Sequence, residues 1–359
     1  MDAVDLESGS VKALRGAALH VEAADSTSLG KLTIMLENTD GGVCGWGGIS
    51  VELGRRRAVQ SIPDAAEKFR KCKLPMSAGM LGYEYFYESK LAPEESISRA
   101  IARTLDTTGV SERDVQMLIV ASADVDFLTD RQLLPRLLQR HGLSLTLPLT
   151  ITSQECTGLL SAIHLALGYI QGKSFSNILV VSYDRARDDD QRIQTFGIVS
   201  DAVVACLVSS NGDVDFLVKG FSHVSDLRGM QRDDDLATRT SLATAGTDEV
   251  FAGSGTSLAR VKKVFGTNFF KPLIKYNATA LGLVEHQLYA EHAPEFGHCL
   301  CADPLLNLGA YFDSEQDWDR GDLFLLQAYA PGFLASMLVE RVTPRSNLPA
   351  VSIKTELMA

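Results

Sequence analysis

The segment Ile151-Thr-Ser-Gln-Glu-Cys-Thr-Gly-Leu-Leu-Ser-Ala-Ile-His-Leu-Ala-Leu-Gly-Tyr-Ile170 places one cysteine, Cys156, between a β-like run, Leu143 to Ile151, and an apolar helix, Leu159 to Ile170. A thiol on a strand-to-helix turn is placed as a nucleophile. The free N–H groups and the positive end of the helix favour its thiolate, and a thiolate there suggests a covalent acyl-enzyme. Glu155 works against this, because a neighbouring carboxylate opposes thiolate formation; it is expected to point away or to be paired. The common fate of a cysteine is an inert buried thiol, so the turn itself is what marks Cys156.

The composition narrows the chemistry. The chain has 359 residues, 45% hydrophobic and 22% charged, which predicts a globular protein of two domains or one large α/β body. A net charge of −11 argues against general nucleic-acid binding. Docking to an acidic carrier protein would fall to local basic clusters: Lys68-Phe-Arg-Lys-Cys-Lys73, or Arg260, Lys262, Lys263, Lys271 and Lys275. Each cluster alone reads more readily as a solvated helix face. No apolar run is long enough to span a bilayer, and the acidic, polar N-terminus shows no secretory signal. Six cysteines are too few for a disulfide scaffold, and Cys299-x-Cys301 has no second pair for a zinc site. These features predict a cytoplasmic protein with no metal and no membrane contact. No phosphate-binding glycine motif follows a strand, so nucleotide chemistry has no support.

The elements needed to position Cys156 follow from hydrophobic periodicity. Residues 1–10 read as disordered, Val11 to Leu36 as an opening strand or two, and residues 37–56 as a loop-rich insertion. Pro93-Glu-Glu-Ser opens a helix, Ile97 to Thr108. Val115–Ser122 and Asn177–Ser182 are buried strands, with a helix from Asp130 to His141 between them. Ala202–Ser209 and Asp213–Val218 form an expected antiparallel pair joined at Asn211-Gly212. The pattern resumes with a helix near Ser257–Phe265, a strand near Pro272–Tyr276, a helix near Ala278–Ala290, a strand at Gly297–Cys301 and a helix near Leu305–Phe312. Asp322–Gln327 and Ala335–Arg341 form the closing strand pair. Both halves end on apolar strand, glycine turn, apolar strand. That predicts a duplicated α/β unit, with halves 1–215 and 216–359 and sheets covered by helices on both faces.

Strand, cysteine on a turn, glycine two residues later, apolar helix: this resembles the β-ketoacyl-acyl carrier protein synthase III family. Asn177-Ile-Leu-Val-Val-Ser-Tyr-Asp resembles that family's strand after the nucleophile helix. Thr195-Phe-Gly-Ile-Val-Ser-Asp-Ala-Val-Val-Ala resembles its Phe-Gly-Asp-Gly-Ala-Gly-Ala segment. Arg320 to Phe333 resembles its C-terminal glycine-rich loop, and Pro93-Glu-Glu-Ser-Ile the start of its first long helix. The likeness spans roughly residues 85–345. It implies the thiolase fold, a five-layered αβαβα arrangement, and a homodimer with candidate interface elements at 115–122 and 143–152. It implies an acyl group carried on Cys156, from a coenzyme A or acyl-carrier-protein thioester, without a further cofactor. The backbone N–H groups of Cys156 and Gly332 would form the oxyanion hole.

Departures from the family pattern point to the reaction. Condensing members carry a His after a strand in the second half. The matching stretch, Leu273 to Leu281, has none, and Asn277 takes its place. The family's catalytic Asn matches Asp303, and His298 stands five residues before it. A carboxylate at Asp303 would repel the enolate formed by decarboxylation. It would instead orient a His in a Cys–His–Asp relay that deprotonates a hydroxyl or amine acceptor. An offshoot of the family in antibiotic biosynthesis, of the pactamycin salicylyl-transferase type, acylates sugars and aminocyclitols, and the chain is expected to act so. The alternatives are a decarboxylative condensing enzyme and a non-catalytic partner subunit.

Each residue also has an ordinary reading. His298 could simply be packed at a strand end, with His286 and His292 as rival bases. Asp303 before Pro304 could cap a helix. Asn277 could satisfy a strand-end backbone group. Asn307 reads as structural, and so does His164, just over two turns along the nucleophile helix. Asp188–Asp190 and Asp233–Asp235 read as solvated loop charges.

Overall fold

Met117-Leu-Ile-Val-Ala121 and Ala202-Val-Val-Ala-Cys-Leu-Val-Ser209 have no polar face, so they are stable only between two layers of helices. The computed structural model describes residues 30–31, 44–126, 130–210, 214–231, 235–314, 318–343 and 352–355. The chain opens with β1 (Gly30–Lys31), β2 (Gly45–Leu53), β3 (Arg55–Ala58), α1 (Ala65–Lys71), α2 (Ala78–Leu81) and β4 (Tyr85–Glu88). Next come α3 (Pro93–Thr108), β5 (Met117–Ala121), α4 (Leu133–Arg140), β6 (Leu147–Ile151), α5 (Gly158–Gln171), β7 (Asn177–Asp184) and β8 (Ala202–Ser209). The second half runs β9 (Phe216–Ser225), α6 (Leu227–Gln231), α7 (Leu236–Phe251), β10 (Val261–Phe265), α8 (Lys271–Ala280), β11 (Leu288–Tyr289) and α9 (Ala293–Phe296). It closes with α10 (Asp303–Ser314), β12 (Leu323–Ala330), β13 (Phe333–Arg341) and β14 (Ser352–Thr355).

The sheet order is β11-β10-β12-β13-β9-β2-β8-β7-β5-β6. Read outward from its middle, each side repeats one plan. β2-β8-β7 and β9-β13-β12 are antiparallel; β7-β5-β6 and β12-β10-β11 are parallel. Gly45 and Trp46 join the sides by pairing with Leu217 and Phe216. α5 packs on β5, β7 and β8 and reaches β13; α10 packs on β10 and β12 and reaches β2. These two helices therefore form a shared middle layer. α3 and α4 cover the outer face of the first half, and α7 and α8 that of the second. The result is the five-layered αβαβα thiolase-type arrangement. Leu159, Ile163 and Leu167 of α5 meet Leu305 and Leu308 of α10 in one core with Val204 and Met337. A helix buried on nearly all sides must be apolar nearly all round, as α5 is. Among the described residues no helix is long and apolar enough to cross a membrane.

Several elements differ from the sequence reading. Residues 45–53, in the expected insertion, form the fully buried β2; its glycines suit close backbone contacts, since a Cβ on Gly45 would lie 2.3 Å from Phe216 O. β8 and β9 do not pair, because β2 lies between them. The first-half counterpart of the β12–β13 hairpin is thus β7–β8. In the second half the sequence reading is displaced by one element. Val261–Phe265 is a strand, and its lysines are tolerated because Lys262 Nζ reaches Asp322 at 2.9 Å. Pro272 starts a helix where a strand was expected; proline suits a first turn that lacks N–H partners. α8 ends at Ala280, leaving His286 exposed in a short 3₁₀ turn. Gly297–Cys301 is no strand but a single bridge from His298 to Val199, followed by a 3₁₀ turn. β5 is interior to the sheet, between β6 and β7, so 115–122 is not an interface. β6 is an edge strand that exposes Leu147. Residues 1–10, the Asn211-Gly212 turn and Asp233 lie outside the described residues.

Candidate active site

Cys156 lies in the 3₁₀ turn Glu155–Thr157 that leads directly into α5. Glu155 takes φ 46°, in the left-handed region, which sharpens the turn between β6 and the helix. The turn packs on β12 and β13 of the other half. Cys156 is 7% exposed.

His298 comes to it from far along the chain. Its N–H donates to Ile198 O at 2.7 Å, and its carbonyl accepts from Ser200 N at 2.9 Å, which pins it to the first half. Gly297 before it has φ 67°, and a Cβ there would lie 2.6 Å from Ile198 O, so only glycine permits this register. His298 Nε2 stands 3.7 Å from Cys156 Sγ, and Nδ1 stands 2.5 Å from Asp303 Oδ2. Asp303 is held by two backbone donors as well: Oδ2 accepts from Asn268 N at 2.8 Å and Oδ1 from Cys299 N at 2.7 Å. Asp303 therefore spends its carboxylate on the residues before its helix and on the imidazole, not on capping α10. Phe196 and Phe269 stand against the ring with centroids 5.5 Å and 5.6 Å away. His298 and Asp303 are both fully enclosed. A buried carboxylate beside Nδ1 selects the tautomer that leaves Nε2 facing the sulfur.

Burial, then the carboxylates of Asp184, Asp303 and Glu155, hold the Cys156 thiol well above its ordinary range. This reverses the expectation from the helix end: enclosure and three acidic neighbours outweigh the helix terminus. Desolvation also raises Glu155, which is exposed and makes no ion pair with a cation among the described residues. A neutral thiol beside an imidazole gives up its proton as it attacks.

The remaining sequence-predicted residues fall in several places. Gly332 is buried at the tip of the β12–β13 hairpin, with φ 76°; its carbonyl accepts from Asp226 N at 2.8 Å. A Cβ there would lie 2.5 Å from Met230 N. Asn277 is in α8 and lines a cavity of about 60 Å³ with Arg239, Leu281 and Gln327, whose walls include none of Cys156, His298 and Asp303. The residues that follow the second-half strand are Gly266, Thr267 and Asn268, so the station assigned to Asn277 belongs to these, and it too holds no His. His292 sits 3.6 Å from Glu295 and packs on Tyr289. His164 stacks on Phe221 at 3.9 Å; burial pushes it down to about 4, the state of a packed neutral imidazole. Asn307 Nδ2 bonds Asn268 Oδ1 at 2.8 Å and Gly266 O at 3.0 Å, fixing the loop that feeds Asp303. Asn268, Phe196 and Phe269 escaped the sequence reading, because nothing in a lone polar or aromatic residue marks a contact made across the fold. The acidic run is more engaged than expected: Asp189 pairs with Arg57 and Asp190 with Lys68.

Residues 152–226, which include Cys156, match the 3-oxoacyl-[acyl-carrier-protein (ACP)] synthase III family. Among solved structures, the acyltransferase ChlB3 superposes with TM-score 0.73 at 16% identity, covering 85% of this chain and all of the other (100%). The 3-oxoacyl-[acyl-carrier-protein] synthase III of Aquifex aeolicus gives TM-score 0.68 at 15% identity, covering 83% and 99%. OleA of Xanthomonas campestris gives 0.71 at 12%, covering 83% and 96%. The chain shares the thiolase fold of these structures. A comparison with curated protein sequences found no match. On that fold this chain places a cysteine, a histidine and an aspartate in one hydrogen-bonding line.

Proposed function

We propose that this protein is an acyltransferase that carries an acyl group on Cys156 from a coenzyme A or acyl-carrier-protein thioester to a hydroxyl or amine of a small acceptor. The observation that carries this reading is the line from Cys156 Sγ through His298 to Asp303, with a carboxylate at its far end. The sulfur attacks the donor carbonyl while its proton passes to His298 Nε2. The tetrahedral intermediate collapses, and the donor thiol leaves with that proton. The acceptor's O–H or N–H then gives its proton to Nε2 as its heteroatom attacks the acyl carbon. The second collapse returns the electron pair to Cys156 sulfur, which regains a proton from the imidazolium. Asp303 stabilises the imidazolium in both half-reactions. The N–H groups of Cys156 and Gly332 are the proposed oxyanion donors.

Asn277 drops out of this mechanism, because the cavity it lines has none of Cys156, His298 and Asp303 in its walls. The acceptor class, a sugar or aminocyclitol of antibiotic-type metabolism, is supported by the resemblance, and acyl transfer as such by the acyltransferase ChlB3 among the structural neighbours. A homodimer fits the exposed edge strand β6. A decarboxylative condensing enzyme is the rival reading, favoured by the synthase neighbours. It needs two neutral donors at an enolate oxygen, whereas here the imidazole is tied to a carboxylate. Incubation with a panel of acyl thioesters, read by intact mass, tests the core claim. The native protein should gain one acyl mass and Cys156→Ala none; an adduct persisting in Cys156→Ala refutes the reading. Carbon dioxide release from a malonyl thioester would favour condensation instead.

A further inference from the structure

Beneath the nucleophile turn lies a carboxylate that none of these steps uses. Asp184, the last residue of β7, is 1% exposed. Its Oδ1 accepts from Ser122 Oγ at 3.2 Å and from Ala123 N at 2.7 Å, just past the end of β5. Its Oδ2 accepts from Cys301 N at 3.1 Å, in the loop between His298 and Asp303. Cys301 Sγ then donates to Glu155 O at 3.0 Å. That carbonyl belongs to the peptide bond whose N–H is the amide of Cys156. Glu155 is also the residue held at φ 46°, where a side chain is strained. Strain of this kind persists only where neighbours over-determine the backbone, and the Cys301 thiol is one such neighbour. One carboxylate therefore ties together the end of β5, the loop carrying the imidazole, and the turn carrying the sulfur.

We propose that Asp184 and Cys301 are positioning residues for Cys156: their hydrogen-bonded chain fixes the Glu155–Cys156 peptide and so aims both the thiol and its amide. The assignment rests on the acyl-enzyme reading for its purpose, and on the hydrogen-bond chain for its substance. Asp184 also faces the sulfur as a charge. Burial raises Asp184 to about 6, so it is ionised at neutral pH, and it is the second cause, after burial, of the raised Cys156 thiol. The titratable groups facing it are Cys156, Cys299, Cys301 and Tyr183. Apart from the Cys301 chain, its hydrogen bonds come from Ser122 and Ala123.

Two measurements on the 359-residue chain test this. The first is alkylation of Cys156 by iodoacetamide across pH, read at the peptide level by mass spectrometry. Asp184→Asn should move the midpoint down by about one unit, and an unchanged midpoint in a folded variant overturns the charge contact. The second is acylation by p-nitrophenyl acetate. Cys301→Ala should lose roughly tenfold or more in the acylation rate constant with KM unchanged. Cys301→Ser, which keeps a donor for the Glu155 carbonyl, should recover to within about threefold of the native rate. Cys301→Ala at the native rate, or Cys301→Ser no better than Cys301→Ala, overturns the positioning role. If the native protein is alkylated at Cys156 but never acylated, the acyl-transfer reading fails, and the alkylation midpoint still decides the Asp184 contact.

Discussion

The helix starts of α5 and α10 hold the same place in their halves and carry different groups. In the first half, the chain leaves β6 and reaches α5 through residues 152–157, with Cys156 on the turn. In the second half, the chain leaves β11 and reaches α10 only after residues 290–302, through α9, the His298 bridge and a 3₁₀ turn. The short connection sets its functional side chain on a tight local turn, which β12, β13 and Cys301 then hold. The long one crosses to the first half, where Ile198 and Ser200 hold the backbone of His298. Duplication thus brings two equivalent corners face to face. A nucleophile stands on one, and a base with its carboxylate stands on the other. Neither half contains the relay, which exists only once the two have packed around α5 and α10.

Removing the second corner's contribution should have the largest effect. His298→Ala should cut acyl transfer by about 10³–10⁴-fold, and should slow loading as well, because a thiol raised by burial and acidic neighbours loses its proton acceptor. Single-turnover kinetics of both half-reactions check this; native rates in either would move the base elsewhere. Asp303→Asn comes next. It keeps the side chain's shape but sets an amide beside Nδ1, so the imidazolium loses its partner and the tautomer preference is disturbed. A loss of about 10²-fold in the rate constant, with little change in KM, is expected. Gly297→Ala attacks the long connection itself: φ 67° and the 2.6 Å approach to Ile198 O leave no room for a methyl group. It should destabilise the fold by about 1–3 kcal/mol and lower the melting temperature, with Gly142→Ala as the control, since it has a similar φ of 64° and nothing near its Cβ. The smallest effect should come from Asn277→Ala. Its acylation and transfer rates should stay within about twofold of native, and a large loss would return α8 to the active site.

Local pattern carried the segment around Cys156 well, though not β2, which was expected as a loop-rich insertion. The strand before Cys156, the turn and the apolar helix after it are each specified by neighbours in sequence: five residues of β6, a glycine at 158, and a helix apolar nearly all round. The second half was read one element out of step from Ser257 to Ala290. The reason is physical. Val261-Lys-Lys-Val-Phe265 has the composition of an exposed helix face, and only pairing with β12 and the Asp322 contact make it a strand. That displacement put Asn277 at a station that Thr267 and Asn268 occupy. His298 and Asp303 were nonetheless legible, through their five-residue separation and the chemical need for a base.

The sequence alone determined that a thiol would stand at the mouth of a buried apolar helix, because helix propensity, burial pattern and turn chemistry act over a few neighbouring residues. It also determined that an imidazole and a carboxylate were available nearby in the second half. Only the tertiary structure decided that Nε2 would face this sulfur across 142 residues of chain, that Asp303 would orient the ring rather than cap its helix, and that Asp184 would lie beneath the turn. Such contacts depend on how the two halves of one sheet pack around shared helices, and the free energy that selects that packing is spread over a core to which no single segment holds the key.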